Sequence, residues 1–304
     1  MANAKEIKRK IGSIKNTAKI TKAMELISTV KMKKAQDLAI EKRDFVLEML
    51  KIFLRVEEYL SDFPLFSVKN SWKKTLAVVI TSNKWLCWGY NINVMKKVNS
   101  YITETNEDLD FISVWKKASN FIVRTWNNLI ADFSDDFSDT LEPVFTKEIA
   151  EFMRDHFLSW KYNKVVVFYN FYVNTIRQIP VAKVSLPIDS VDIKNYLFSI
   201  LDWHIDLEKE IKEMKNWYIY DIEPTIETYL YDVLPMILDM MFYDVLLNAK
   251  ASEHSSRMIA MKNAKDSANK IAKALTLKYN KARQAGITSE VSEITAGVES
   301  MKDI

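Results

Sequence analysis

From Ile7 the apolar side chains recur at Ile7, Ile11, Ile14 and Ala18, in alternating steps of four and three, the seam spacing of a coiled coil. The stripe then moves to Ile20, Met24, Ile27 and Val30 and runs on among polar residues toward Leu60, with no proline before Pro64. One helix of up to about 55 residues, on the order of 80 Å at 1.5 Å per residue, is predicted. So long a rod must bury its stripe against a partner. The far end of the chain supplies one: Met261, Ala264, Ala268, Ile271 and Leu275 repeat the spacing, and Ile287, Val291, Ile294 and Val298 resume it after a stutter. Small residues near the seam (Ala264, Ala268, Ala282, Ala285) allow close approach. An antiparallel coiled coil of the two termini is expected, with stutters that alter the supercoil locally.

The middle of the chain has a different period. Thr75–Thr81, Leu109–Val114 and Lys164–Phe168 are short β-branched or aromatic runs, and Phe171–Leu186 is an extended segment closed by Pro187; such runs read as buried strands. Helical spacing occupies Asn91–Thr103, Lys116–Ile130 and Pro143–Trp160. Strands alternating with helices predict an α/β domain. The expected layout is an N-terminal coiled-coil helix over residues 1–64, an inserted Rossmann-like α/β domain over 72–220, and a C-terminal coiled-coil helix over 225–304. The charged stretch Asp202–Trp217 reads as a mobile loop within that insertion.

Composition narrows the chemistry. The 304 residues include only 4 Gly against 8 Trp, whereas ordinary usage predicts roughly 21 glycines. With Gly only at 12, 89, 286 and 297, neither a GxxxxGK[ST] phosphate loop nor a GxGxxG fingerprint can be assembled, which argues against direct nucleotide binding by those routes. Three histidines (156, 204, 254) and the single Cys87 form no catalytic or metal-ligating spacing, so no catalytic residue, metal or cofactor is expected. The net charge is only +3, but ten Lys/Arg against two Glu crowd the first 36 residues. A basic coiled-coil scaffold that binds nucleic acid is the alternative this suggests; residues 1–36 contain no aromatic to stack on bases. No apolar run is long enough to span a bilayer, the nearest, Leu234–Leu247, being broken by Asp239 and Asp244. The lone cysteine and the absence of an apolar signal core lead to the expectation of a cytoplasmic-side protein without a targeting segment.

Three long motifs carry a resemblance. RKIGSIKNTAKITKAMELISTVKMKKAQ (residues 9–36), TSNKWLCWGYN (81–91) and ASEHSSRMIAMKNAKDSANKIAKALTLKYNKARQAGITSEVSEITAG (251–297) resemble, in this order, the start, middle and end of the γ subunit of bacterial F-type ATP synthases. The resemblance implies two terminal helices forming a shaft beside a Rossmann-like domain. It also implies a non-catalytic rotor that couples proton-driven rotation to ATP synthesis, peripheral on the cytoplasmic face of the membrane. The implied partners are the α and β subunits of the hexamer, the ε subunit and the membrane c-subunit ring, with no nucleic acid among them. The family pattern RQAxIT falls on Arg283, Gln284 and Thr288, implying contacts with the surrounding subunits, and Met24 falls in the coupling region. Lys15, Lys19, Lys22, Lys31, Lys33 and Lys34 are placed to face acidic loops of the β subunits. The foot motif Y-x-[YF]-E-P is represented by Tyr218, Tyr220, Glu223 and Pro224, with Asp221 and Ile222 intruding, so that Asp221 or Glu223 is the carboxylate meeting the ring or ε.

The family's central motif usually reads S-D-[KR]-G-L-C-G-G-[YFL]-N, so Trp85 and Trp88 occupy two glycine positions. Trp115, in VWKK after a strand, and Trp160, in SWKYNKVVVFYN, also stand where the family commonly has glycine. Tight turns accept no such exchange. The expectation is that these residues are glycines encoded by UGA. Flanking sequence fixes no family glycine at Trp72, Trp126, Trp203 or Trp217.

Overall fold

A computed structural model describes residues 2–41, 45, 48, 65, 74–134, 143–188, 223 and 225–300. In chain order its elements are α1 (Ala2–Glu41), β1 (Lys74–Ile80), α2 (Trp88–Thr105), β2 (Asp108–Val114), α3 (Lys116–Arg124), β3 (Asn128–Phe133), α4 (Pro143–Leu158), β4 (Lys164–Tyr172), β5 (Gln178–Leu186) and α5 (Ile226–Ser300). They form two compact units, Met1–Val30 with Arg257–Ile304, and Lys31–Ser256.

The larger unit is built on a five-stranded sheet of order β3-β2-β1-β4-β5. Its first four strands are parallel, and β5 runs antiparallel to β4. The central strands are apolar on both faces because both faces are covered. Leu76, Val78 and Ile80 point into one core with Ile149, Met153 and Phe157 of α4 and Leu230, Leu234, Leu238 and Met241 of α5. Ala77 and Val79 point into the other, with Val94 and Val98 of α2 and Ala118 and Ile122 of α3. Each large aliphatic side chain so buried contributes about 1.5–3 kcal/mol. This is the expected Rossmann-like arrangement of an α/β layer.

Two segments depart from the periodicity. The helix expected over Lys116–Ile130 ends at Arg124, and β3 follows, pairing parallel to β2. Side-chain bonds add to the packing of this edge strand, in which Leu129 meets one core and Ile130 and Phe133 the other: the Asn128 amide donates to Asp110 Oδ1 at 2.7 Å, and the Ser113 hydroxyl to Asp132 Oδ1 at 2.6 Å. The extended segment over Phe171–Leu186 is two strands, divided by a turn in which the N–H groups of Val173 and Asn174 donate to the Arg177 carbonyl. The loop expected over Asp202–Trp217 lies outside the described residues.

The smaller unit is made of the ends of α1 and α5. Along α1 the buried or half-buried positions include 4, 7, 11, 14, 18, 21, 25 and 28, an unbroken three–four rhythm, with Met24 half-buried beside it. Along α5 they include 257, 261, 264, 268, 272, 275, 279, 282 and 286. An ion pair between Lys265 Nζ and Glu25 Oε2 at 2.7 Å fixes the register. Only antiparallel helices keep residues 2–30 beside 257–286 with that pair level, and counting outward from it brings Ala4 opposite Gly286. The seam holds Ala18, Met261 and Ala268 of the stripe expected from the sequence but departs from it elsewhere: Ile20 (61% exposed), Ile27 (55%), Val30 (68%) and Ile271 (50%) face outward, while Thr21, Ser28 and Ala272 are buried. Small and hydroxyl residues fill the most buried seam positions of α1, with Met261 buried on α5 and Ile7, Ile11 and Ile14 half-buried; Thr21 satisfies its hydroxyl on the Thr17 carbonyl at 3.0 Å. After Gly286 every described side chain of α5 is exposed, Ile287, Val291, Ile294 and Val298 among them.

Candidate functional site

In an open α/β sheet the ligand crevice lies beyond the strands' carboxyl ends, where the strand order reverses. Here that point falls between β1 and β4, and polypeptide fills it. Asn170, fully buried at the end of β4, donates its amide to the Tyr90 carbonyl at 2.7 Å, and the Tyr90 hydroxyl donates to the Ala249 carbonyl of α5 at 3.2 Å. The Tyr172 N–H donates to Asn248 Oδ1 at 2.6 Å, and the Ser255 hydroxyl to the Thr175 carbonyl at 2.6 Å. Residues 248–255 of α5 are thereby latched to the sheet edge. Asn91 holds the neighbouring loop, accepting from the Ser82 N–H at 3.0 Å and donating to its hydroxyl at 2.9 Å.

Sequence reasoning missed this latch, although a polar run, ASEHSS, inside a long helix is its visible signal. The same run carries a buried ion pair, Lys250 Nζ to Glu253 Oε2 at 3.0 Å, with the ammonium 3.8 Å from the centroid of the Trp115 ring. Among the described residues no group of three His, Cys, Asp or Glu side chains could hold a metal ion. Cys87 is buried, its sulfur 3.8 Å from the Lys84 carbonyl.

The residues singled out from the sequence fall at separate levels. Met24 lies half-buried beside the Glu25–Lys265 pair. Arg283, Gln284 and Thr288 are exposed one after another on α5, where the Thr288 hydroxyl donates to the Gln284 carbonyl at 3.0 Å. They stand roughly 30 Å from Met24 along the rod, at 1.5 Å per residue. Lys15, Lys19, Lys22, Lys33 and Lys34 are exposed and Lys31 is half-buried. Glu223 is exposed just ahead of α5; Tyr218, Tyr220, Asp221 and Pro224 lie outside the described residues. Trp85 and Trp88 are each 70% exposed around the start of α2, Trp115 is fully buried at the N-cap of α3, and Trp160 is 42% exposed after α4. Among the described residues these positions do not converge on one centre. The arrangement offers a rod with an uncovered apolar stripe, and a latch that ties the rod's long helix to a sheet.

Known proteins share this arrangement. Residues 3–301 match the family described as ATP synthase. The ATP synthase gamma chain of Opitutus terrae is 36% identical over 300 residues, covering 97% of this chain and 98% of that one. The central stalk/c-ring structure of the Tetrahymena thermophila mitochondrial ATP synthase has a similar chain, with a TM-score of 0.55 at 25% identity over 81% of this chain and 99% of that one. A chain of the Euglena gracilis mitochondrial ATP synthase, in rotational state 3, shares the fold with a TM-score of 0.62 at 16% identity over 99% of this chain and 95% of its own. No helix among the described residues is long and apolar enough to cross a membrane. A rod of two terminal helices, a latched α/β unit and matches over nearly the whole length give one conclusion: the chain belongs to the ATP synthase gamma-chain family.

Proposed function

We propose that the chain is the central rotor shaft of an F-type ATP synthase, turning inside a hexamer of α and β subunits and coupling proton-driven rotation of a membrane c-subunit ring to ATP synthesis. The observation that carries this reading is the apolar stripe Ile287, Val291, Ile294 and Val298. It runs along α5 after the last seam residue, Gly286, with more than half of each side chain exposed. A contiguous exposed apolar patch of this kind marks an interaction surface.

Torque needs contacts that depend on orientation. Arg283, Gln284 and Thr288 present charged and polar groups on one exposed stretch of α5, which suits charge-assisted bonds to different hexamer subunits in turn. The exposed lysines of α1 add long-range attraction to acidic loops. Residues 218–223, with Asp221 or Glu223 as the carboxylate, are assigned to the ring or the ε subunit, on the cytoplasmic face of the membrane.

Reconstituting the enzyme with Arg283→Ala plus Gln284→Ala tests the reading. ATP turnover or proton pumping falls, while the isolated subunit melts as the parent does. Unchanged turnover and pumping would remove those residues from the coupling surface. A salt-sensitive gel shift with DNA or RNA, without retention of α and β subunits, would instead support the nucleic-acid scaffold.

A further inference from the structure

Five described residues other than glycine have a positive φ: Leu86, Asn106, Trp115, Trp126 and Trp160. Asn106 suits its place, ending α2 in the left-handed region with its N–H on the Ile102 carbonyl. Three of the other four are tryptophans. Trp126 follows α3 with φ 57°; its N–H donates to the Val123 carbonyl at 3.2 Å and that of Asn127 to the Ile122 carbonyl at 3.2 Å. Those paired bonds are a Schellman helix end, and Trp126 sits at the one position of it that glycine ordinarily fills. Trp160 follows α4 with φ 60° and makes the inner bond of such an end, its N–H on the Phe157 carbonyl at 3.1 Å. Trp115, between β2 and α3, has φ 71° and ψ 152°, a region in which a Cβ collides with the neighbouring peptides and which is essentially closed to any residue but glycine.

The actual glycines show the reverse. None of them has a positive φ, and a Cβ added at any of the four meets nothing within 4 Å. Glycine thus stands where any residue fits, and three of the five described tryptophans stand where the backbone calls for glycine. Packing does not account for this. Trp126 is 96% exposed, so nothing repays its left-handed conformation. Trp115 is fully buried and Trp160 partly so, and three such different surroundings share only the backbone requirement.

We infer that positions 115, 126 and 160 carry glycine in the cell that makes this protein, their codons being UGA triplets which that cell decodes as glycine and which are here rendered as tryptophan. The inference rests on three backbone turns and is independent of the rotor reading. Trp85 and Trp88 have no positive φ and do not carry it.

Peptide mass spectrometry of the protein purified from its native cells decides the matter. Glycine is expected at all three positions, and tryptophan at any one overturns the inference. A recombinant chain with all eight tryptophans gives a second reading. Trp126→Gly raises its melting temperature by about 2–4 °C, whereas Trp126→Ala, which keeps the Cβ, gains less. An unchanged or lowered melting temperature with Trp126→Gly would show that this turn makes no demand for glycine.

Discussion

Asp110 shows how a single buried charge is held in this sheet. Its carboxylate accepts from the Tyr162 hydroxyl at 2.6 Å and the Asn128 amide at 2.7 Å, and it pairs with Lys74 at 2.9 Å. Burial alone raises the carboxyl, but the bonds from Tyr162, Asn128 and Lys74 outweigh it and hold the group below the ordinary carboxylate range. A depressed folded value means that the stabilisation is present above the unfolded pKa of about 3.9 and is lost as pH falls through the folded one. Tyr162→Phe removes one charge-assisted bond and costs about 1.5–3 kcal/mol at pH 7. In urea denaturation the gap between parent and variant shrinks as the pH approaches 3; an equal gap at both pH values would show that the charge on Asp110 is not what the hydroxyl stabilises. Legibility at this scale was uneven. Trp115 and Trp160 were suspect from their neighbours in the sequence, but Trp126 was not, because only the backbone at the end of α3 reveals what that position requires. A left-handed bulky residue costs about 1–3 kcal/mol, a price invisible to hydrophobic patterning.

The elements were legible wherever burial follows hydrophobicity and obscure wherever it does not. β1, β2 and β4 announced themselves because apolar residues fill both faces. β3 hid because its sequence, NLIADF, carries polar residues whose side-chain hydrogen bonds add to its packing at a sheet edge. In the coiled coil the strongest apolar positions misled, since Ile271 is half exposed and the neighbouring Ala272 is buried. This yields a paired prediction. Ala272→Leu forces a branched side chain into the tight seam near Ala18 and costs about 1–3 kcal/mol, whereas Ile271→Ser stays within about 0.5 kcal/mol; the reverse order in thermal denaturation would restore the stripe read from the sequence. The latch makes a separate prediction. Asn248→Ala leaves the Tyr172 N–H without its acceptor and costs about 1–3 kcal/mol, whereas Ser255→Ala removes one of two donors to the Thr175 carbonyl, the Gln178 amide remaining at 3.0 Å, and costs about 0.5–1.5 kcal/mol. Amide hydrogen exchange at Tyr172 accelerates in the first variant. Unaltered exchange there would mean that the sheet edge, not the latch, protects that amide.

At the scale of the molecule, α5 is the connecting part. One unbroken helix carries core residues from Leu230 to Ala249, the latch from Asn248 to Ser255, seam residues to Gly286 and an exposed apolar stripe beyond. Residues 248–255 of this helix are held to the strands by part-buried hydrogen bonds. The stripe contributes nothing to the fold of the chain itself, because every residue from Ile287 to Val298 is exposed. Replacing Ile287, Val291 and Ile294 together by Ser should accordingly leave the melting of the isolated subunit unchanged. The same change removes three large apolar side chains, each worth about 1.5–3 kcal/mol when covered, from the surface assigned to the hexamer. Binding to an α/β hexamer, titrated with labelled subunit, weakens by about tenfold or more. The two readouts separate the explanations. A lower melting temperature would assign the stripe to the fold of the chain, and undiminished hexamer binding would mean that the shaft is gripped elsewhere, with the exposed stripe Ile20, Leu26, Ile27 and Val30 of α1 as the next surface to remove.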